Sequence, residues 1–357
     1  MLYYTTVCIS IVFTVTFAVG APDDVLVGTR TMGDGMQPAV ELHEDMASNK
    51  SLSAAISKLN DKLLALPVAA GHENSWPRPP EMWVAPNGRL IAILDRRQPE
   101  KDRTGLWILA DWNTPNPPSN YANAKHWGRF LAPHHFLHRE PDGWTLIDLL
   151  DTTRRWHVPE GIDHSSLTIS ASDNWAISFQ DGRVYVGNLT DPKCFDEHSL
   201  QLPMTDRQTN RRLLWVEDDV LLYTAECNKH QDTLVAVLTN TGEVIAKANV
   251  CVGSMLLLKT DSVICYEQNG RSDLLLNLDR SNRRMDVKVL PLGIVPTRLS
   301  PSGRLVLGVR ETPQLVPGVT ETVCVPAPES GGLTVPRVPK KGHIFWLTFD
   351  NNGDGNK

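Results

Sequence analysis

Cysteine is scarce in this sequence of 357 residues, which contains six, and no two of them form a CxxC pair. This absence argues against a zinc site built from paired cysteines and against a full disulfide framework. Two catalytic motifs are also missing. No GxSxG elbow is present for a serine nucleophile, and no Gly-rich loop leads into a lysine and a helix, as phosphate binding requires. The sequence therefore contains no familiar signature of catalysis.

An excess of basic residues is missing as well, since 35 Lys and Arg face 41 Asp and Glu, for a formal net charge of -6. Proteins that bind nucleic acid need a basic face to neutralise phosphates. Anionic membranes attract basic segments for the same electrostatic reason. We therefore expect no nucleic-acid partner and no electrostatic attraction to a membrane surface.

One apolar run stands at the N-terminus. Residues 7–19 carry no charge, and the small residues Ala18, Val19 and Gly20 follow as a cleavage site. The pattern predicts a signal peptide over 1–20 and a secreted or periplasmic protein, with no stable membrane span after cleavage. The segment before the run lacks Lys and Arg, so a membrane anchor is the alternative, although the run is short for a span and rich in threonine.

Proline and glycine, by contrast, are plentiful, with 25 and 24 copies, and many lie between apolar runs. A short motif recurs among them, an alternating apolar strand that ends in Asp or Asn before a polar turn. Its copies are 106–111, 144–151, 184–188, 234–240, 274–279 and 344–350. Most copies are about forty residues apart, the period of a four-stranded propeller blade.

A second repeat consists of two strands joined by a tight turn. Segments 84–94 and 299–309 share the order strand, Pro, Gly-Arg, strand almost residue for residue. Proline presets φ at the turn, and glycine then accepts a positive φ. This pattern at Pro86–Leu90 and Pro301–Leu305 resembles the repeat of TolB-type, WD-repeat-like β-propellers. The resemblance implies a fold and brings no active site with it.

The predicted fold is an all-β propeller of six, or seven, four-stranded blades over residues 81–350. We count six units, which start near residues 81, 130, 166, 211, 252 and 295. The last contains a Pro-rich insertion, 311–341, and ends after its third strand. Because an unpaired strand edge is a liability, closure needs a strand from elsewhere, and 24–30 is the candidate. The rival is a seventh blade built from the N-terminal region and the insertion.

Residues 21–80 form a separate N-terminal segment, and 351–357 a polar tail. Within the N-terminal segment, 51–66 has Leu52, Ile56, Leu59, Leu63 and Leu64 at helical spacing. An amphipathic helix is predicted, with its apolar stripe on the main domain.

Charged residues follow the second strand of most units. In a propeller these strand ends gather on one rim of the ring, from different blades. The expected rim residues are Arg96, Arg139, Glu226, Glu267 and Arg310. They predict a shared polar pocket for a ligand, and the alternative is a set of ordinary solvated turns.

Two metal sites can be considered. Asp350, Asn352 and Asp354 match the first half of a calcium loop, although the later Glu is missing and the segment also fits a blade turn. In the second unit, His134 and His138 share one face of a strand and His135 points to the other. Three histidine ligands should therefore not converge there without help from other blades.

Two main functions follow from this reading, both without a known ligand. The first is an exported, non-enzymatic scaffold that binds a protein or a small molecule and needs no cofactor. The alternative is a lactonase- or lyase-like enzyme with a polar or metal site at the central channel. A weaker third possibility is a propeller domain of a larger assembly that uses the Pro-rich insertion as a contact arm.

Overall fold

The structure is a computed structural model, and it describes the greater part of the chain. The described residues are 23–32, 37–42, 46–66, 81–94, 106–121, 128–140, 142–159, 164–178, 184–190, 195, 200–201, 212–228, 231–259, 261–267, 272–311, 320–328, 335–336, 338 and 343–349. The predicted signal peptide, 1–20, and the polar tail, 351–357, lie outside them.

Within these residues the chain forms 26 strands, one α-helix and a short 3-10 helix at His164–Ser166. In chain order the longer elements are β1 (Asp23–Met32), β2 (Gln37–Leu42), α1 (Lys50–Leu64), β3 (Glu81–Val84), β4 (Ile91–Leu94), β5 (Leu106–Leu109), β6 (Ser119–Tyr121), β7 (Gly128–Phe130), β8 (His135–Glu140), β9 (Gly143–Asp148), β10 (Arg155–Val158), β11 (Thr168–Ile169), β12 (Asn174–Ser178), β13 (Val184–Asn188), β14 (Leu200–Gln201), β15 (Leu213–Glu217), β16 (Val220–Asn228), β17 (Gln231–Leu238), β18 (Val244–Asn249), β19 (Val252–Lys259), β20 (Ser262–Glu267), β21 (Ser272–Asp279), β22 (Arg284–Leu290), β23 (Val295–Leu299), β24 (Leu305–Glu311), β25 (Thr320–Pro326) and β26 (Ile344–Phe349).

These strands form seven antiparallel sheets. Sheets I to V have four strands each, namely β3–β6, β7–β10, β11–β14, β15–β18 and β19–β22. Sheet VI has β23–β25, and sheet VII has the order β26-β1-β2, so both show three strands among the described residues. The chain is a β-propeller, which confirms the predicted fold class, and its sheets number seven.

Seven apolar clusters lie between consecutive sheets. Ala92 of sheet I packs with Phe136 of sheet II, and similar clusters join each later pair. Leu305 of sheet VI contacts Trp346 of sheet VII, and Phe345 of sheet VII belongs to one cluster with Ile91 of sheet I. The succession of interfaces thus returns to its starting sheet. Because each sheet buries both faces, its central strands consist mainly of apolar residues.

The first and the last strands that the structure describes meet in sheet VII. Strand β1 pairs with β26 from Asp23–Phe349 to Gly28–Ile344. It contains the segment 24–30, which is the predicted closing strand. Strand β26 contacts β3, just as the first strands of other neighbouring sheets contact each other, so it is the innermost strand of sheet VII.

This arrangement corrects two details of the repeat count. The sequence predicts that 344–350 is the third strand of a sixth unit, whereas β26 is the innermost strand of the seventh sheet. The insertion 311–341 contains β25, which pairs with β24 and completes sheet VI as described. The third strand of sheet VI is thus β25, from the insertion. Strand β26 pairs with the N-terminal strand β1 instead.

Helix α1 covers the outer edge of sheet VII. Its Asn60 side chain accepts a hydrogen bond from the Val40 N–H (2.7 Å) and donates one to the Val40 carbonyl (3.0 Å). An edge residue of β2 thus has both backbone groups satisfied by an amide side chain in place of a fourth strand. Of the predicted apolar stripe, Leu64 is exposed while the other four residues are buried.

Trp112 fills the interface between sheets VII and I. It lies in the loop after β5, yet its side chain is buried. Its indole N–H donates to the Gly88 carbonyl (3.0 Å), and its ring stacks on Phe349 with centroids 6.5 Å apart. The side chain of this loop residue is buried because its large ring packs into the interface between sheets VII and I.

Candidate functional site

Four of the five expected rim residues are described, and they lie near the C-terminal ends of the second strands of their sheets. Arg139 is exposed in β8, and Glu267 is half-buried at the end of β20. Arg310 in β24 donates to the carbonyls of Leu292 (3.3 Å) and Gly293 (3.4 Å). A fourth rim residue, Glu226, lies in β16.

Arg96 lies outside the described residues, as do the calcium candidates Asp350, Asn352 and Asp354. The shared polar pocket and the calcium site both stay predictions.

On the opposite side of the ring, more of the turns lie within the described residues. We call this side the first-turn face: on it each first strand turns into the second strand and each third strand turns into the fourth. In sheet II these turns are residues 131–134 and 149–154. Because second strands begin on the first-turn face and end on the other, the expected rim lies at the far end of the strands.

Three side chains meet on the first-turn face of sheet II: His134, His135 and Asp148, which we call the His–Asp cluster. Their candidate ligand atoms all lie within 4.8 Å of one another. His135 opens β8 directly opposite Asp148 at the end of β9. His134 lies in the preceding turn, and its carbonyl accepts the Leu149 N–H (2.9 Å).

The expectation that His135 points away from His134 is therefore wrong, whereas His138 is not among the three side chains of the cluster. Alternation of side chains applies within a strand, but His134 belongs to the turn, where the backbone bends. The two imidazole rings consequently lie side by side, with centroids 4.3 Å apart.

His135 is the most unusual member of the cluster. It is completely buried, and neither ring nitrogen has a hydrogen-bond partner. Its Nε2 lies 3.7 Å from Oδ1 of Asp173, in the first turn of sheet III. Burial lowers the pKa of His135 to about 4, and the neighbouring His134 adds to this effect. The imidazole is therefore neutral near pH 7, and each buried nitrogen costs free energy as long as it stays unpaired.

The carboxylates of the site are shared with an arginine. Asp148 is buried; its Oδ1 accepts the Leu150 N–H (2.9 Å), and its Oδ2 lies 3.2 Å from Nη1 of Arg154. Nη2 of Arg154 is 3.8 Å from Oδ2 of Asp173, and the guanidinium lies over the Trp156 ring at 5.2 Å. With two carboxylates and one guanidinium, and with histidine counted as neutral, the site has a formal charge of minus one.

Other polar contacts on this face join neighbouring sheets. Arg280 of sheet V donates to Asp219 of sheet IV (2.9 Å). Ser302 of sheet VI donates its N–H to Asp24 of sheet VII (3.1 Å). In these contacts each polar group has a hydrogen-bond partner on the neighbouring sheet. The two ring nitrogens of His135, in contrast, have no hydrogen-bond partner.

The outer surface has a second feature, on strand β22. Among the described residues the exposed large apolar side chains are Leu64, Leu150, Val287 and Val289. Val287 is 45% exposed and Val289 65% exposed, and they are two residues apart in the outermost strand of sheet V. Alternate residues of a strand share a face, so the two valines form one apolar patch.

No protein-family model and no curated protein matches the sequence. Solved structures with a similar shape exist at low identity. The β-propeller domain of Cps50 (Swd1) from Myceliophteria thermophila is 12% identical, with a TM-score of 0.47 over 77% of this chain and 90% of that one. A quinoprotein alcohol dehydrogenase-like protein from Bacteroides thetaiotaomicron is 11% identical, with a TM-score of 0.49 over 91% and 78%. Hsv2 from Kluyveromyces lactis is 12% identical, with a TM-score of 0.43 over 64% and 71%.

No helix among the described residues is long and apolar enough to cross a membrane.

Proposed function

We propose that this chain is an exported, non-enzymatic β-propeller that binds an extended segment of a protein partner along the outer edge of β22. The observation that supports this function is the patch of Val287 and Val289. Apolar side chains on an outer strand favour strand addition, in which backbone hydrogen bonds supply affinity and alternate side chains supply specificity.

The form of β22 suits such a partner. Seven residues long, it pairs with β21 on one side, and among the described residues no strand pairs with its other side. A long edge strand with apolar side chains is a liability for an isolated protein unless something covers it. A partner strand over Val287 and Val289 would bury the two side chains and satisfy the backbone edge at the same time.

Charge suggests the composition of the partner segment. Lys288 is exposed between the two valines, and Lys247 is exposed on β18, the outer strand of the neighbouring sheet. We therefore propose a segment in which apolar residues alternate with acidic ones, so that opposite charges face each other at the rim of the contact.

The test replaces the patch without disturbing the strand. In the double variant Val287→Thr/Val289→Thr, β-branched side chains are kept, so strand propensity is retained while the apolar surface is reduced. The control is Leu150→Thr, which removes another exposed apolar side chain on the first-turn face. Affinity capture from host extract identifies the binder, and calorimetry with that purified binder measures affinity. We expect the affinity of the double variant for the binder to fall about tenfold or more, and the affinity of the control to equal that of the parent.

Equal affinity of the double variant and the parent would contradict the proposed surface. Light scattering provides a second check, because edge strands also pair with copies of themselves. A parent dimer that becomes a monomer in the double variant would identify the occupant as a second copy of this chain, and the partner proposal would then fail.

Export is proposed from the uncharged apolar run at 7–19 and the small residues that end it. Secretion or a periplasmic location follows if the segment is removed, and a membrane-anchored protein follows if it is kept. Mass spectrometry of the protein recovered from its host should show an N-terminus at Ala21. A recovered chain that still begins at Met1 would contradict cleavage.

A channel enzyme, the alternative, receives less support from the geometry. Chemistry at the ring axis needs its groups on the innermost strands. The His–Asp cluster lies at the ends of the second and third strands of sheet II, away from the axis.

A further inference from the structure

We infer that His134, His135 and Asp148 bind a divalent transition-metal ion of the zinc, cobalt or nickel class on the first-turn face of sheet II. This site is separate from the β22 edge, so it holds or fails independently of the proposed partner binding.

The first argument is the state of His135. Its two ring nitrogens are buried without a hydrogen bond, although buried polar groups in folded proteins are almost always paired. A metal ion bound by one nitrogen would satisfy that atom. The carboxylate of Asp173, 3.7 Å from Nε2, is placed to accept a hydrogen bond from the ring or to join the ligands, as carboxylates commonly do beside metal-bound histidines.

The second argument is the kind of donor present. Neutral imidazole nitrogen and carboxylate oxygen suit zinc and its neighbours in the first transition series, whereas calcium and magnesium prefer oxygen alone. Ligand atoms around a tetrahedral zinc ion lie about 3.3 Å apart, so the cluster, with donor atoms within 4.8 Å of one another, needs a small contraction. His134 is half-buried in a turn and is the residue that can supply it.

Arg154 gives the site a distinctive property. Its guanidinium contacts the Asp148 carboxylate that the metal needs, and its positive charge repels a cation. The side chain is partly exposed, so it can leave toward solvent when a metal arrives. Removing this charge should therefore tighten metal binding, while removing a ligand should weaken it.

The experiment uses the full chain, stripped with a chelator and then titrated with Zn²⁺ by calorimetry and with Co²⁺ by visible absorption. We expect one equivalent of either metal, and a Co²⁺ spectrum of histidine and carboxylate ligation. His134→Ala should weaken binding about tenfold or more. Arg154→Gln should tighten it by about threefold or more. His157→Ala, which removes an exposed histidine from β10 of the same sheet, is the matched control and should leave affinity unchanged.

The opposite responses of His134→Ala and Arg154→Gln keep the test independent of folding, because a damaged fold would weaken binding in both. The inference is overturned if the parent binds no stoichiometric metal, if His134→Ala binds as tightly as the parent, or if Arg154→Gln weakens binding. Loss of binding in His157→Ala would identify adventitious surface binding and would also overturn it.

Discussion

Replacing Val27 with aspartate is expected to destabilise the whole propeller, with a loss of about 4 kcal/mol or more in the free energy of unfolding. Val27 is fully buried in β1, where it pairs with Phe345 of β26 on one side and Leu42 of β2 on the other. The change removes an apolar side chain from the cluster between sheets VII and I and buries a carboxyl group without a partner. A typical domain is stable by only about 5–15 kcal/mol, so such a loss is a large fraction of the total.

Chemical denaturation followed by circular dichroism measures the effect. The control is Leu150→Asp, the same kind of replacement at a leucine that is 66% exposed. That variant should unfold within about 0.5 kcal/mol of the parent, as is usual for surface substitutions. If the two variants were equally stable, β1 would not belong to the core and the ring would not be closed by the N-terminal strand.

Acidification is expected to destabilise the protein through His138, by about 3 kcal/mol between pH 6.5 and pH 4. The His138 ring in β8 is only 1% exposed, and burial lowers its pKa from 6.5 to about 4. Between pH 4 and pH 6.5 the His138 ring is therefore mainly neutral in the folded state and mainly protonated in the unfolded chain. This contribution to stability is complete above pH 6.5 and is lost as the pH falls toward 4. Glu140, with Oε1 3.7 Å from Nε2, is the acidic group beside the ring.

Unfolding free energies of the parent and of His138→Leu, measured from pH 7.5 to pH 4, test this contribution. The variant keeps a buried side chain of similar volume and removes the titrating group, so its stability should fall less steeply with acid. The difference in slope should reach about one proton, or about 1.4 kcal/mol per pH unit. His157→Ala, at an exposed histidine of the same sheet, should have the slope of the parent. Parallel pH profiles for His138→Leu and the parent would contradict the assignment.

Sequence patterns predicted the local structure well where a single strand or turn carries the signal. The Pro-Asn-Gly turn at 86–88 predicts a positive φ, and Gly88 has φ of 68°. A built Cβ at Gly88 would lie 2.7 Å from the backbone N of Thr348, so the same glycine also permits the close approach of β26. That second role involves a residue 260 positions away, and no local pattern contains it.

The candidate site was less predictable. Alternation along a strand separates His134 from His135, but the turn before β8 brings them together. No sequence pattern marks Asp148 or Arg154 as a site residue, because charged residues are common at strand ends and in turns. Register between β8 and β9 places Asp148 opposite His135, and contact between sheets II and III adds Asp173. Only the pairing of His135 with Asp148, inside the next apolar motif at 144–151, could have suggested the cluster in advance.

The sequence alone determined that this protein is built from repeated antiparallel strands, because alternation and turn chemistry are properties of neighbouring residues. It also contained the strand at 24–30 and the apolar stripe of helix α1. Tertiary structure alone decided that β26 begins a seventh sheet, that Asn60 covers the edge of that sheet, and that His135 is buried beside Asp148. These features depend on which edges and faces meet in the folded ring, and hydrogen bonds and apolar contacts between distant residues decide that pairing.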